Sequence, residues 1–165
     1  METVYFQGNE CHTGGQLPAV GTKAPEFKLT GADLNEITAS SYPGKKIVLN
    51  IFPSLDTAVC AMSVRKFNEK AASKKGAVVL CVSMDLPFAA KRFCTLENID
   101  NVYPASAFRS PDFAKEYGVE IVDGPLKGLL TRAVIIIDEN SEVIYRELVE
   151  EITHEPDYEA ALKML

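Results

Sequence analysis

Hydrophobic residues gather in two continuous runs along the chain, with an amphipathic segment between them. The runs cover residues 46–52 and 77–84, and their largely apolar character without alternation predicts strands buried on both faces. Residues 59–75 instead carry apolar side chains on one stripe and most charged ones off it, which predicts a helix that stops at Gly76. This alternation of strand and helix indicates an α/β protein.

The other elements are shorter, and turn residues set their limits. We expect short strands at 3–7, 26–30 and 101–106, a hairpin of strands at 132–138 and 142–149, and short helices at 87–93, 111–117 and 156–165. This order predicts a mixed sheet with helices on both faces. It fits a thioredoxin-like core, although many α/β folds share the same rhythm.

Length and composition are those of one globular domain. The chain has 165 residues, of which 47% are hydrophobic and 24% charged, so we expect a single domain over residues 1–165. A net charge of −6 repels phosphate backbones and anionic lipids, which argues against nucleic acids and membrane surfaces as partners. The sequence shows neither a signal-peptide pattern nor an apolar stretch of about 18 residues, so the expected location is the cytoplasm.

Four cysteines need an explanation, because a chain of this length folds without a disulfide or metal staple. A zinc site is not expected, since there are only two histidines and no C-x-x-C pair, and no cofactor is indicated. Cys81 lies in the middle of a predicted buried strand, where a structural role is expected. Cys11 lies in a predicted polar loop and has no assigned role. Cytoplasmic thiols rest reduced, and cysteine pairs in such proteins tend to be catalytic or regulatory.

Cys60 occupies a position that favours an ionised thiol. It lies between the carboxyl end of a predicted strand and the first turn of a predicted helix, where open sheets place their ligand sites. Free backbone N–H groups and the helix dipole there favour the thiolate. Lowering a thiol pKa by about two units takes nearly 3 kcal/mol, whereas one dipole supplies roughly 0.3 to 2 kcal/mol, so a cationic partner is expected. From position alone, a small buried hydrophobe is an equally good interpretation.

The spacing Pro53-x-x-x-Thr57-x-x-Cys60 resembles the active-site signature of the peroxiredoxins. Residues 50–68 are similar to the thiol peroxidase subfamily, the atypical two-cysteine peroxiredoxins. The likeness extends over nearly the whole chain and includes residues 6–9, 85–88, 92–94, 124–128, 132–134, 151–153 and 155–162. The resemblance implies a thioredoxin-like, three-layer α/β/α fold with a mixed central sheet and an extra N-terminal hairpin.

The resemblance also assigns roles around the reactive sulfur. Cys60 would attack a peroxide oxygen and become a sulfenic acid. The Thr57 hydroxyl would point at the sulfur and the peroxide, a role compatible with capping the helix. Pro53 would shape the loop that keeps water from the thiolate, unless it only ends the strand. Arg132 would be the expected cation, stabilising the thiolate and the charge on the leaving oxygen; without the family, it would be interpreted as a surface arginine.

Cys94 is implied to be the resolving cysteine, which forms an intramolecular disulfide with Cys60 that thioredoxin reduces. The two residues lie on different predicted helices, whereas a disulfide needs Cα atoms within about 7 Å, so we expect local unwinding during the cycle.

A thiol-dependent peroxidase of hydrogen peroxide and organic hydroperoxides is therefore the implied function, in antioxidant defence and redox homeostasis, with a homodimer as the implied assembly. Apolar residues near the site, including Leu86, Phe88 and Phe93, would favour alkyl hydroperoxides. The alternatives are a redox sensor or binding module that switches through the same disulfide, and a structural domain with inert thiols.

Overall fold

Strands and helices alternate along the chain in the computed structural model, which describes residues 1–71 and 73–165. The strands are β1 (Thr3–Phe6), β2 (Asn9–His12), β3 (Leu29–Gly31), β4 (Glu36–Ile37), β5 (Lys46–Ile51), β6 (Ala77–Ser83), β7 (Tyr103–Ser106), β8 (Ala133–Ile137) and β9 (Val143–Leu148). The α-helices are α1 (Ala58–Ala71), α2 (Pro87–Leu96), α3 (Pro111–Glu116) and α4 (Tyr158–Leu162), and a 3₁₀ helix covers Ala39–Ser41.

Seven strands form one mixed sheet in the order β4-β3-β7-β6-β5-β8-β9. The central pairs β5–β6 and β6–β7 are parallel, because α1 and α2 return the chain to the same end of the sheet between those strands. The pairs towards both edges are antiparallel. β1 and β2 form a separate hairpin. The predicted mixed central sheet with helices on both faces and an extra N-terminal hairpin is therefore confirmed.

Side chains of the central strands alternate between two covered faces. Leu49 of β5 packs in one core cluster with Phe113 of α3. Its neighbour Val48 belongs to a second cluster with Phe67 of α1 and Ala161 of α4. Because both faces are covered, the sequence of β5 is largely apolar, without alternation. The same strand ends where α1 begins, and this junction carries the candidate site.

Several element boundaries differ from prediction. Residues 26–28 lie outside β3, because Phe27 packs edge-on against Phe113 and Tyr117 and the Tyr117 hydroxyl donates to the Pro25 carbonyl at 2.6 Å. These contacts hold the segment against α3 and away from the neighbouring strand. α1 ends earlier than predicted, since residues 73–76 form turns that lead the chain into β6, while Ala72 lies outside the described residues.

The second strand of the N-terminal hairpin differs from the interpretation of its residues. Cys11, expected in a polar loop, lies in β2 and is buried against Val4 and Ile152. The hairpin turns at Gln7 and Gly8, whose φ angles of 52° and 80° are those of a type I′ turn. Glycine tolerates this conformation without strain, and the turn lets β1 and β2 pair with the twist of a hairpin.

Candidate active site

Cys60 lies in the first turn of α1, directly above the carboxyl end of β5. The residue is fully buried and belongs to the core cluster that also contains Val64 and Phe67 of the same helix. Burial alone fits a structural thiol as well as a reactive one. The neighbours of the sulfur decide between these interpretations.

Arg132 provides the cation that the position of Cys60 requires. It precedes β8, which pairs with β5 so that Ala133 lies opposite Ile51, and this register brings it to the end of β5. Its Nη2 donates to Cys60 Sγ at 3.1 Å, and its Nε donates to the Ile152 carbonyl at 2.7 Å. The side chain is 1% exposed, which excludes the surface arginine that its sequence position alone suggests.

The second terminal nitrogen of Arg132 is a donor without a partner. Nη1 is buried and has no hydrogen-bond partner within residues 1–71 and 73–165. Unpaired buried donors are rare in folded proteins and call for an explanation such as a ligand or a catalytic role. An oxygen atom bound beside Cys60 would satisfy it.

Thr57 caps α1. Its Oγ1 accepts the Cys60 N–H at 3.4 Å, its hydroxyl donates to the Ser54 carbonyl at 3.1 Å, and its carbonyl accepts the Ala61 N–H at 3.0 Å. The capping role is therefore present in the structure. A contact between this hydroxyl and a peroxide remains a prediction.

Asp85 is the site residue to which the sequence reasoning gave no role. Its Oδ1 accepts the Ser54 hydroxyl at 2.8 Å, and its Oδ2 accepts the Leu55 N–H and the Ser83 hydroxyl, both at 2.7 Å. These bonds tie the loop before α1, including buried Pro53, to the end of β6. The sequence did contain a signal for Asp85, because an acidic residue directly follows the apolar run 77–84. The carboxyl end of that strand lies at the same end of the sheet as Cys60.

Cys94 lies in the last turns of α2, and its thiol is free. Burial raises the pKa of Cys94 to about 11, so in this position the group is protonated at neutral pH. Cys60 and Cys94 are therefore held in separate helices, each in or next to a terminal turn.

The two other cysteines lie in the core. Cys81 is buried in β6 beside the Asn50 amide at 3.8 Å, and burial raises its pKa to about 12. Burial, with smaller contributions from Asp123 and Glu151, also raises the pKa of Cys11. Cys11 is thus a core residue of the hairpin, and the predicted polar loop is wrong because β2 turns this side chain inward.

Two further features concern binding. No cluster of three or more potential metal ligands occurs in the part of the chain that the structure describes. In the same residues, no helix is long and apolar enough to cross a membrane.

Of the apolar residues expected near the site, Leu86 and Phe88 are exposed, whereas Phe93 packs against the cluster that contains Cys60.

Comparisons with known proteins agree with this geometry. The Redoxin family model matches residues 19–162. A thiol peroxidase from Corynebacterium glutamicum is 55% identical over 165 residues, which cover 100% of this chain and 99% of that protein. The crystal structure of a peroxiredoxin-like protein from Aquifex aeolicus has a TM-score of 0.93 and 46% identity, covering 99% of this chain and 95% of the other.

A more distant structure shows how far the fold is shared. A thiol peroxidase from Chromobacterium violaceum, 22% identical, superimposes with a TM-score of 0.90 over 98% of this chain and 94% of its own. At this identity the likeness concerns the fold alone, which is the predicted thioredoxin-like one. From the family model and the relative of equal length, the chain belongs to the Redoxin family and, within it, to the thiol peroxidases.

Proposed function

We propose that this protein is a thiol-dependent peroxidase that reduces hydrogen peroxide and organic hydroperoxides at Cys60. The observation that carries the proposal is the buried contact of 3.1 Å between Arg132 Nη2 and Cys60 Sγ. A buried guanidinium is unfavourable unless an opposite charge compensates it, and a thiolate at Cys60 would supply that charge. The thiolate is also the form of cysteine that attacks peroxides.

In the first step, the Cys60 thiolate attacks one peroxide oxygen and a sulfur–oxygen bond forms. The oxygen–oxygen bond breaks, sulfur is oxidised by two electrons, and the second oxygen leaves with the electron pair as hydroxide or alkoxide, which then takes up a proton. Arg132 would stabilise the developing negative charge through Nη1, the donor that has no partner among the described residues. The Thr57 hydroxyl would orient the peroxide, and Pro53 would help to exclude water.

In the second step, Cys94 attacks the sulfenic acid on Cys60. A disulfide forms, the sulfur–oxygen bond breaks and water leaves. Cys94 is protonated and half-buried at rest, so we expect the end of α2, the first turn of α1, or both to unwind before it reacts. Terminal turns open at lower free energy than helix interiors, which favours this location for both cysteines.

In the third step, a dithiol reductant restores both thiols and becomes a disulfide itself. We expect thioredoxin to be this reductant, as the family resemblance implies. The proposed setting is the cytoplasm, in antioxidant defence and redox homeostasis, with a homodimer as the working assembly. No cofactor is needed, because sulfur carries the electrons.

A coupled assay with thioredoxin, its reductase and NADPH tests the proposal on the wild type, Cys60→Ser and Cys94→Ser. We expect Cys60→Ser to lose all activity and Cys94→Ser to undergo one oxidation without recycling through thioredoxin. Cys81→Ser is the matched control, and it should retain turnover. A wild type that oxidises once per peroxide without sustained NADPH consumption would instead indicate a redox sensor.

A further inference from the structure

A backbone carbonyl outside the sheet, that of Ile152, orients the guanidinium of Arg132. Its Nε donates to the Ile152 carbonyl at 2.7 Å, while Nη2 reaches Cys60 Sγ at 3.1 Å and Nη1 has no partner among the described residues. A planar guanidinium held at Nε has little freedom to rotate. The position of the Ile152 carbonyl therefore decides where the other two nitrogens point.

The N-terminal hairpin holds the backbone at Ile152. The Tyr5 N–H donates to the Glu150 carbonyl at 2.7 Å, and the Ile152 N–H donates to the Tyr5 carbonyl at 2.8 Å, so β1 pairs with this segment like a parallel strand. The Ile152 side chain is buried in a small cluster with Val4 and Cys11. The position of the Ile152 carbonyl, which orients Arg132, thus depends on the packing of the hairpin against this segment.

Glu151 joins the hairpin turn to this segment. Its Oε1 accepts the Gly8 N–H at 2.7 Å, and its Oε2 accepts the N–H and the hydroxyl of Thr153 at 2.9 and 2.8 Å. Desolvation works against its charged form, but hydrogen bonds from Thr153 and Gly8 outweigh it, and the pKa of Glu151 is lowered. The carboxylate therefore links Thr153, which follows Ile152, to Gly8 in the hairpin turn.

We infer that Glu151 is a positioning residue for the reactive centre: it ties the Gly8 turn to Thr153 and thereby fixes the Ile152 carbonyl that aims Arg132 at Cys60. The inference rests on the proposed function, in which Arg132 acts on the Cys60 sulfur. It goes beyond that function by giving the N-terminal hairpin a part in the chemistry. In this role Glu151 acts through the Ile152 carbonyl and Arg132, since its own carboxylate bonds are to Gly8 and Thr153.

Glu151→Ala and Glu151→Gln test this inference in the full-length protein. The first readout is the titration midpoint of thiolate absorbance near 240 nm, taken as the difference between each variant and the same variant carrying Cys60→Ser. The second is the second-order rate constant for oxidation of Cys60 by peroxide. For Glu151→Ala we expect a higher midpoint and a rate constant lower by about ten- to a hundredfold, because the guanidinium loses its alignment.

Glu151→Gln keeps one acceptor oxygen, so it should recover part of both readouts, and it decides the question by itself if Glu151→Ala does not fold. The matched control for Glu151→Ala is Asp138→Ala. Asp138 also accepts two backbone N–H groups, from Asn140 and Glu142 at 2.9 Å each, but it follows β8 at the end opposite Arg132. This variant should lose thermal stability without a change in midpoint or rate constant.

Lower thermal stability of both Glu151 variants with an unchanged midpoint and rate constant would overturn the inference, because Glu151 would then only stabilise the fold. Failure of the proposed function has a different signature. In that case the wild type itself would show no rapid oxidation of Cys60, while the midpoints of the variants could still be compared.

Discussion

Arg132 is a charged residue that is almost completely buried in the core. Burying an unpaired cation is strongly unfavourable, so its hydrogen bonds to the Ile152 carbonyl and the Cys60 sulfur must compensate much of that penalty. In the proposed mechanism a Cys60 thiolate supplies the compensating negative charge. The same contact would then stabilise the charged arginine and activate the sulfur.

Arg132→Lys should reduce the second-order rate constant for peroxide by about 10²- to 10³-fold, because an ammonium cannot serve the carbonyl, the sulfur and the leaving oxygen together. Rapid-mixing measurement of Cys60 oxidation checks this expectation. The control is Arg146→Lys, which also loses a guanidinium bond to a carbonyl, that of Leu17 at 2.8 Å. Equal rate constants for Arg132→Lys and the wild type would contradict the assigned role.

The helices that carry Cys60 and Cys94 are fastened to each other at the surface. Arg65 of α1 forms a bidentate ion pair with Glu97, just after α2, at 2.9 and 3.0 Å. Asn68 of α1 also accepts the N–H groups of Asp100 and Asn101 through its side-chain oxygen. These contacts would oppose the unwinding that the proposed disulfide requires. We therefore expect them to affect the second proposed step more than the first.

Glu97→Gln should speed disulfide formation a few-fold, because it weakens the link between the two helices, and it should leave the first oxidation unchanged. Its effect on stability should be small, since the pair is exposed. Mass spectrometry at high peroxide should show less sulfinic acid on Cys60 than in the wild type. Glu69→Gln, an exposed carboxylate on α1, is the control. A disulfide rate that is the same in all three proteins would exclude this role for the ion pair.

For the whole molecule, the buried thiols make the free energy of unfolding decrease as the pH becomes alkaline. The pKa of Cys81 rises from 9.0 to about 12 on folding, so the folded state holds this proton where the unfolded state releases it. The stabilisation from the protonated thiol is complete below pH 9 and is lost as the pH rises from 9 towards 12. Cys94, whose pKa rises from 9.0 to about 11, changes stability in the same direction.

The free energy of unfolding of the reduced protein should therefore fall between pH 9 and 10, with Cys81 contributing about 1 kcal/mol of the loss. Urea denaturation of the wild type and Cys81→Ala in the presence of a reductant measures this contribution. The variant will be less stable at pH 8 because it leaves a cavity, but its stability should decline less steeply with pH. Parallel declines in the two proteins would refute the assignment.

The long apolar runs made the centre of the fold predictable. Strands at β5 and β6, the helix between them and the position of Cys60 at their junction follow from periodicity and turn residues, because burial on both faces leaves a direct trace in the sequence. The hairpin strand β2 left no such trace. Its four residues include three polar ones, and only pairing with β1 turns Cys11 inward.

The sequence by itself determined the α/β class, the family likeness and the cysteine at a strand–helix junction, since these depend on local pattern and short motifs. The tertiary structure alone decided what surrounds that cysteine. Arg132 lies 72 residues away along the chain, and it reaches the sulfur only because β8 pairs with β5 in one register. Glu151 and Asp85 likewise contact distant segments, the Gly8 turn and Ser54, and a local pattern does not show which segments meet.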